Sequence, residues 1–292
     1  MARQLFEAVL DGVLSGSVYA LMALGLTLIF GVLDIINIAQ GILVVLAAYL
    51  SYVLSVHLHL DLFVGLFVTV PAMFVLGVAI HWLFIRPLRG RERVTMSLLA
   101  SYAVAIIIEG VLYYFFGTND VALHAWYVTA SVRVGFYYLP DIYLMGFGLA
   151  VALVAGLYWL MYRTPFGRSV RATMQDRTAA LLVGINVNRV AAVTFGVGVA
   201  VTAVGGMVYG SLNAFSPNSG YDLISRLLAI VILGGLGSIV GALAAAIFMI
   251  TLESVVDVWA PNWSIVVFYA ALVLVLTFRP TGLFGKMETR AQ

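Results

Sequence analysis

The run LLASYAVAIIIEGVLYYFF, residues 98–116, decides the fold. Glu109 is its one charged residue, and nothing in it alternates apolar with polar. Backbone amides and carbonyls find no water in hydrocarbon, so a chain crosses it only as helices or as a closed barrel. Barrel strands are about 10 residues long and alternate. A helix needs roughly 20 residues to cross a core about 30 Å thick. The run fits the helix on both counts.

The remainder of the chain repeats the pattern. Apolar residues make up 63% and charged residues 10% of 292 positions, against ~45–50% and ~25% in soluble domains. Mean hydropathy is +1.09. A chain of this length cannot hide so much apolar surface in one core. The composition therefore gives an all-α polytopic membrane protein. There are no cysteines, which excludes a disulfide framework and any cysteine-based metal or redox site. The net charge of +2 does not indicate nucleic acid, because the basic residues sit in short segments beside apolar runs, where the positive-inside rule puts them. Arg3, Glu7 and Asp11 lead into a long apolar run with no cleavage-type end, which reads as a first span and not a removed signal peptide.

Apolar blocks are expected at 8–30, 38–56, 62–85, 94–116, 142–162, 190–215, 227–252 and 264–278. GVLDIIN (31–37) separates the first two with an acid and an amide but no base, 117–140 reads as an extramembrane excursion, and 216–225 is polar and turn-rich. GGLGS interrupts 227–252, and glycines so close together favour a helix break. Two shorter helices are expected there, with Gly234, Gly235, Gly237 and Ser238 as a hinge or re-entrant turn. FGVLDIINIAQGILVVLAAYL (30–50) and ILGGLGSIVGALAAAIFMITL (232–252) share a break followed by a small, apolar run. Paired interrupted segments of this kind are typical of transporters with inverted repeats.

Orientation follows from the basic residues. Of 15, four lie in 86–93, five in 163–189 and three in the tail at Arg279, Lys286 and Arg290; Arg3, Arg133 and Arg226 lie elsewhere. All three segments belong on the cytoplasmic side. That gives about 7–9 transmembrane or re-entrant helices, N-terminus out and C-terminus in. Trp126, Tyr127, Tyr137, Tyr138, Trp259 and Trp263 then fall at the outer boundary, as an aromatic belt does.

Intramembrane carboxylates are costly and are functional candidates by default. Asp34, with Asn37 and Gln40, makes a polar cluster that either lines a pathway or caps the next helix. Glu109 lies within its span. Glu253 and Asp257 read as a solvated helix end, and Asp222 with Arg226 as a local i, i+4 ion pair. His57, His59, His81 and His124 show no metal-ligand spacing. There is neither a GxSxG elbow nor a P-loop, so no active site is expected and any energy from ATP must come from a partner. Small residues at Gly12, Gly16, Ala20, Gly25, Gly196, Gly198, Gly205, Gly206 and Gly210 suit close helix packing in lipid.

Four motifs carry a resemblance: YALMALGLTLIFGVLDIINIAQG (19–41), TPFGRSVRATMQDRTAALLVGINVNRV (164–190), ILGGLGSIVGAL (232–243) and FRPTGLFG (278–285). In this order, over nearly the whole chain, they resemble the permease subunit of branched-chain amino acid ATP-binding-cassette importers, specifically the smaller, H-type member of the permease pair. The resemblance implies one transmembrane permease domain, 1–292, in a bacterial inner membrane. It would be partnered by a second, related permease, two ATPase subunits that hold the ATP and Mg, and an external solute-binding protein. It also implies that the cytoplasmic loop 163–190 couples to an ATPase. Phe166, Val170 and Met174 fall on one helical face of that loop, with Arg168, Arg171 and Gln175 on others. Asp176 or Thr178 can cap a second short helix that Gly184 ends. The coupling residues expected are Phe166, Gly167, Arg168, Val170, Arg171, Met174, Asp176 and Gly184. Tyr19, Asp34, Asn37 and Gln40 are the expected pathway residues. The rival from another class is an ion-driven secondary transporter with Glu109 or Asp34 as the coupling carboxylate.

Overall fold

A computed structural model describes residues 2–88, 92–134 and 137–285. Arg89, Arg91, Lys286 and Arg290, counted above for orientation, lie outside them, as do the side chains of Tyr137 and Tyr138. In chain order the helices are α1 (Ala2–Leu33), α2 (Gln40–Leu58), α3 (Leu62–Ile80, continued by a π-helical turn at His81–Ile85), α4 (Arg93–Phe116) and α5 (Trp126–Thr129). A hairpin of β1 (Ser131–Val134) and β2 (Tyr137–Pro140) follows. Then come α6 (Asp141–Arg163), α7 (Pro165–Gln175), α8 (Arg177–Leu182), α9 (Val187–Leu212), α10 (Ser219–Gly234), α11 (Ile239–Asp257) and α12 (Pro261–Phe278). Among the described residues eight helices are long and apolar enough to cross a membrane: α1, α2, α3 with its π turn, α4, α6, α9, α11 and α12. Among the described residues the short hairpin is the only pair of strands, beside an isolated bridge between Val121 and Phe215, and it lies in the expected excursion.

The glycine-rich helices are the central ones. In their most apolar windows α1 is 83% and α9 89% buried, against 11% for α12. Their glycines let backbones meet where a side chain would not fit. A Cβ at Gly16 would lie 2.7 Å from Ile247 Cα, and one at Gly198 would lie 2.8 Å from the Gly25 carbonyl. Dispersion and close packing hold such a bundle together in lipid, since burial from hydrocarbon brings no hydrophobic gain.

The two halves are built alike. The first is a long helix (α1), a non-helical stretch (34–39) and a helix that begins inside the bundle (α2), with α3 and α4 behind it. The second repeats this as α9, the stretch 213–218, α10, α11 and α12. Each half lays its third helix on the first helix of the other. Gly12 and Gly16 of α1 meet Thr251 and Ile247 of α11, while Gly196 of α9 meets Phe74 and Val78 of α3. On the axis between them α1 meets α9 at Gly25 and Gly198, and α2 meets α10 at Gly41 and Gly220. The repeat is therefore real, but its partners differ from those expected. The break before α2 corresponds to 213–218, and the GGLGS turn corresponds instead to the α2–α3 turn, where His59 has a φ of 52°.

One stretch read as loop is helical. The polar turn expected over 216–225 is mostly the first turns of α10, which starts at Ser219. Gly220, Leu223, Ile224 and Leu227 form its buried face, with Tyr221, Asp222 and Ser225 on the exposed one. A one-sided helix shows the same composition as a turn over so short a window.

Candidate functional site at the basic end of the bundle

All four motifs that carry the resemblance meet at one end of the bundle, which the segment 163–189 marks as the basic end. That segment forms two short helices separated by Asp176, whose backbone is extended. Thr164 Oγ1 accepts from the Gly167 amide at 3.1 Å and Pro165 takes the first position, so α7 starts where both residues are best tolerated. Asp176 caps α8, accepting from the amides of Thr178 at 2.7 Å and Ala179 at 3.1 Å. Gly184, at a φ of 82°, ends α8 in the left-handed region where a glycine costs least.

The underside of this pair is fixed to the bundle. Val170 is fully buried, and Gly167 and Thr173 are buried beside it. Gly167 lies against the carbonyls of Leu160 and Met161 so closely that no side chain fits. Arg171 donates to the Met161 carbonyl, and its guanidinium stands 4.9 Å from the centre of the Tyr162 ring. The buried stripe is thus Gly167–Val170–Thr173, rotated from the expected Phe166–Val170–Met174. Phe166 is half-buried, Arg168 and Asp176 are exposed, and Met174 is exposed yet its Cε reaches Gly31. The outward tip is Leu181, Leu182 and Val183, 59%, 85% and 75% exposed. Hydrophobic spacing favoured α7, and these three residues, at and just past the end of a six-residue helix, gave no periodic signal.

A second contact joins the loop to α1. Arg177 Nη2 donates to the carbonyls of Val32 at 3.1 Å and Leu33 at 2.7 Å. These are orphan acceptors at a helix C-terminus, and a cation there is favoured by the helix dipole. Burial, more than the neighbouring charge of Arg93, lowers the Arg177 pKa, while Asp34 acts in the opposite direction; a guanidinium stays charged regardless. Asp34 ends α1 at a φ of 56°, a conformation that costs a non-glycine residue. It does not cap α2, whose first flanking residue is Ala39 without a side-chain cap bond.

From Asp34 the chain climbs without helix into the interior. Ser101 of α4 accepts from the Ile38 amide at 3.1 Å. Asn37 donates to Gln40 Oε1 at 3.1 Å, and Gln40 donates to Thr202 of α9 at 2.5 Å. Asn37 and Gln40 are buried and enclosed by protein. Their side-chain amides are paired inside the bundle, where lipid could not pair them, while Asn37 Oδ1 has no hydrogen-bond partner. Tyr19, the fourth expected pathway residue, has other neighbours: the Arg226 guanidinium lies 6.0 Å from its ring centre. Arg226 pairs with Glu253 of α11 at 2.6 Å and not with Asp222, so Glu253 belongs to a half-buried ion pair and not to a solvated end. Glu109 accepts from the Tyr221 hydroxyl at 2.6 Å, beside a small cleft lined by Ile38, Ile42 and Ile224.

The glycine turn completes the junction. Gly235 and Gly237 have φ of 95° and 82°, and Ser238 Oγ accepts from the Gly241 amide at 3.0 Å, starting α11. The segment after α12 folds back onto this turn, with Leu283 donating to the Leu233 carbonyl at 2.7 Å and Phe284 to the Gly234 carbonyl at 3.2 Å. Gly237 in turn packs on Gly31, so close that a Cβ on Gly31 would lie 3.1 Å from its Cα. Loop, α1 terminus, glycine turn and C-terminal motif are one connected structure.

The family model for branched-chain amino acid transport system / permease component matches residues 8–276. The chain belongs to that family. It is therefore a membrane permease of a transport system, as the relatives are. It is 29% identical to the high-affinity branched-chain amino acid transport system permease protein LivH of Escherichia coli K12, over 97% of this chain and 96% of that one. It is 27% identical to the corresponding protein BraD of Pseudomonas aeruginosa, with the same coverage. A probable LivH of Methanocaldococcus jannaschii is 27% identical over 86% of this chain and 81% of its own. No solved structure matches.

Proposed function

We propose that this chain is the H-type permease subunit of an ATP-binding-cassette importer that moves branched-chain amino acids, or a chemically similar small polar solute, inward across the inner membrane. Relatives named for branched-chain amino acid transport over nearly the full length support the substrate class. The basic end faces the cytoplasm, which puts the N-terminus outside and the C-terminus inside. A second, related permease completes the pathway, two ATPase subunits supply ATP and Mg, and an external binding protein selects the solute. The chain itself carries no catalytic group in this scheme.

The observation that carries the reading is the α7–α8 pair. Its underside is locked to α1 and α6, while Leu181, Leu182 and Val183 project from the basic end. Three consecutive exposed apolar side chains outside the spans suit a protein cleft, and the arginines around them suit an acidic rim. Leu182 is the anchor. Phe166, Gly167, Val170, Arg171, Asp176 and Gly184 set the shape that presents it, and Arg168 and Met174 flank it. Asn37 and Gln40 fix where α2 starts beside the solute path, and Gly234, Gly235, Gly237 and Ser238 form the turn on which α10 and α11 pivot. Replacing Leu182 with Asp is expected to abolish co-purification of the ATPase subunits with the permease pair while leaving the permeases' yield unchanged. Retained co-purification would refute the docking surface.

A further inference from the structure

We infer that Arg177 is the positioning residue that carries movement of the α7–α8 pair into the membrane interior. The inference rests on the proposed docking of that pair to an ATPase, and adds the route by which the push is delivered.

Arg177 is the first residue of α8, the helix whose tip projects outward. Its guanidinium ends on the carbonyls of Val32 and Leu33. Those carbonyls close α1, a helix of 32 residues with no proline, packed along its length on α11 and α9. Immediately beyond them the backbone leaves the helix at Asp34, through a φ of 56°. The clamp therefore sits on the joint between a rigid rod and the non-helical stretch 34–39. That stretch is anchored further in at Ser101, and it ends on Gln40 and Thr202. Gly41 follows at once, against Gly220 and Ile224 of α10.

A shift of α8 thus has two places to go. It can drag the whole of α1, against its packing on α9 and α11, or it can bend the joint at Asp34. The joint is the softer of the two, because it holds a strained residue and no helical ladder. Bending there moves the start of α2, where the two halves of the bundle meet. Met174 on Gly31, and Gly31 on Gly237, bring the same displacement to the glycine turn. Arg93 of α4 is near both groups, attracted to the Asp34 carboxylate and opposed by the like charge of Arg177.

The chain has no cysteine, so a single one introduced at Ile36 reports on the stretch. The assay uses the full transporter with its ATPases and binding protein in proteoliposomes. Arg177→Ala is expected to keep ATPase co-purification and to hydrolyse ATP within about twofold of the parent. Solute moved per ATP is expected to fall at least about tenfold, and the ATP-driven change in a spin-label signal at Ile36→Cys to disappear. Arg177→Lys, which keeps a charged donor, is expected to restore much of both. If Arg177→Ala lowers the yield of the permease itself, Arg177→Gln is read in the same way. An unchanged transport-to-hydrolysis ratio in the neutral variants overturns the inference, and so does loss of ATPase co-purification. Failure of the docking reading looks different: Leu182→Asp would keep its ATPases.

Discussion

Arg226 shows how a single residue escapes a local reading. Its nearest acid in sequence is Asp222, one helical turn away, yet its guanidinium goes to Glu253, on α11. The pair is 24% and 14% exposed and lies beside Tyr19 and Phe268. Breaking one side leaves a charge with no partner in a half-buried site. Glu253→Met is therefore expected to cost about 3–5 kcal/mol, whereas Glu253→Met with Arg226→Met is expected to cost far less, because the desolvation penalty disappears with both charges. A double-mutant cycle on detergent-solubilised protein measures this, and additive losses would contradict the pairing. Sequence alone named both residues without joining them, since they are 27 positions apart and only the packing of α10 on α11 sets their distance.

At the scale of elements, α7 and α8 were legible because their ends carry side-chain chemistry. Thr164–Pro165, Asp176 and Gly184 each have a local job that a sequence states directly. Loss of the Asp176 cap is expected to cost about 1 kcal/mol. Gly184→Ala, forced to a positive φ, is expected to cost roughly 1–2 kcal/mol. Either change is expected to raise amide exchange over 177–182 while leaving α9 protected. Unchanged exchange in both variants would mean that α8 is held by its contacts and not by its caps. The faces of these helices were less legible. Met174 belongs to the apolar stripe by spacing, but Gly167 and Thr173 pack more deeply, because α7 approaches α6 at backbone contact and only small residues fit there. The start of α10 was hidden for a related reason: its exposed Tyr221, Asp222 and Ser225 have the composition of a turn.

At the scale of the whole molecule, the apolar runs were long enough to place seven of the eight spans within a few residues. The block 227–252 divides at the glycine turn into the end of α10 and most of α11. The glycines marked the helices that form the centre. The inverted repeat was legible only as a possibility. Its halves pair through α1 with α11 and α9 with α3, contacts that leave small residues but no shared motif. The sidedness proposed from the arginines has a direct check. With single cysteines at Thr118 and Thr178, an impermeant maleimide added to intact cells is expected to label position 118, and to label 178 only after permeabilisation. The opposite pattern would invert the topology and remove the ATPase from reach of α8.

The central claim is that ATP drives solute movement through this chain by way of α7–α8. Uptake of radiolabelled leucine into proteoliposomes holding the permease pair and ATPases decides it. Uptake is expected to require both ATP and the external binding protein, and to be abolished by Leu182→Asp. Uptake by this chain alone, driven by a proton or sodium gradient without ATP, would contradict it and return the work to Glu109 or Asp34.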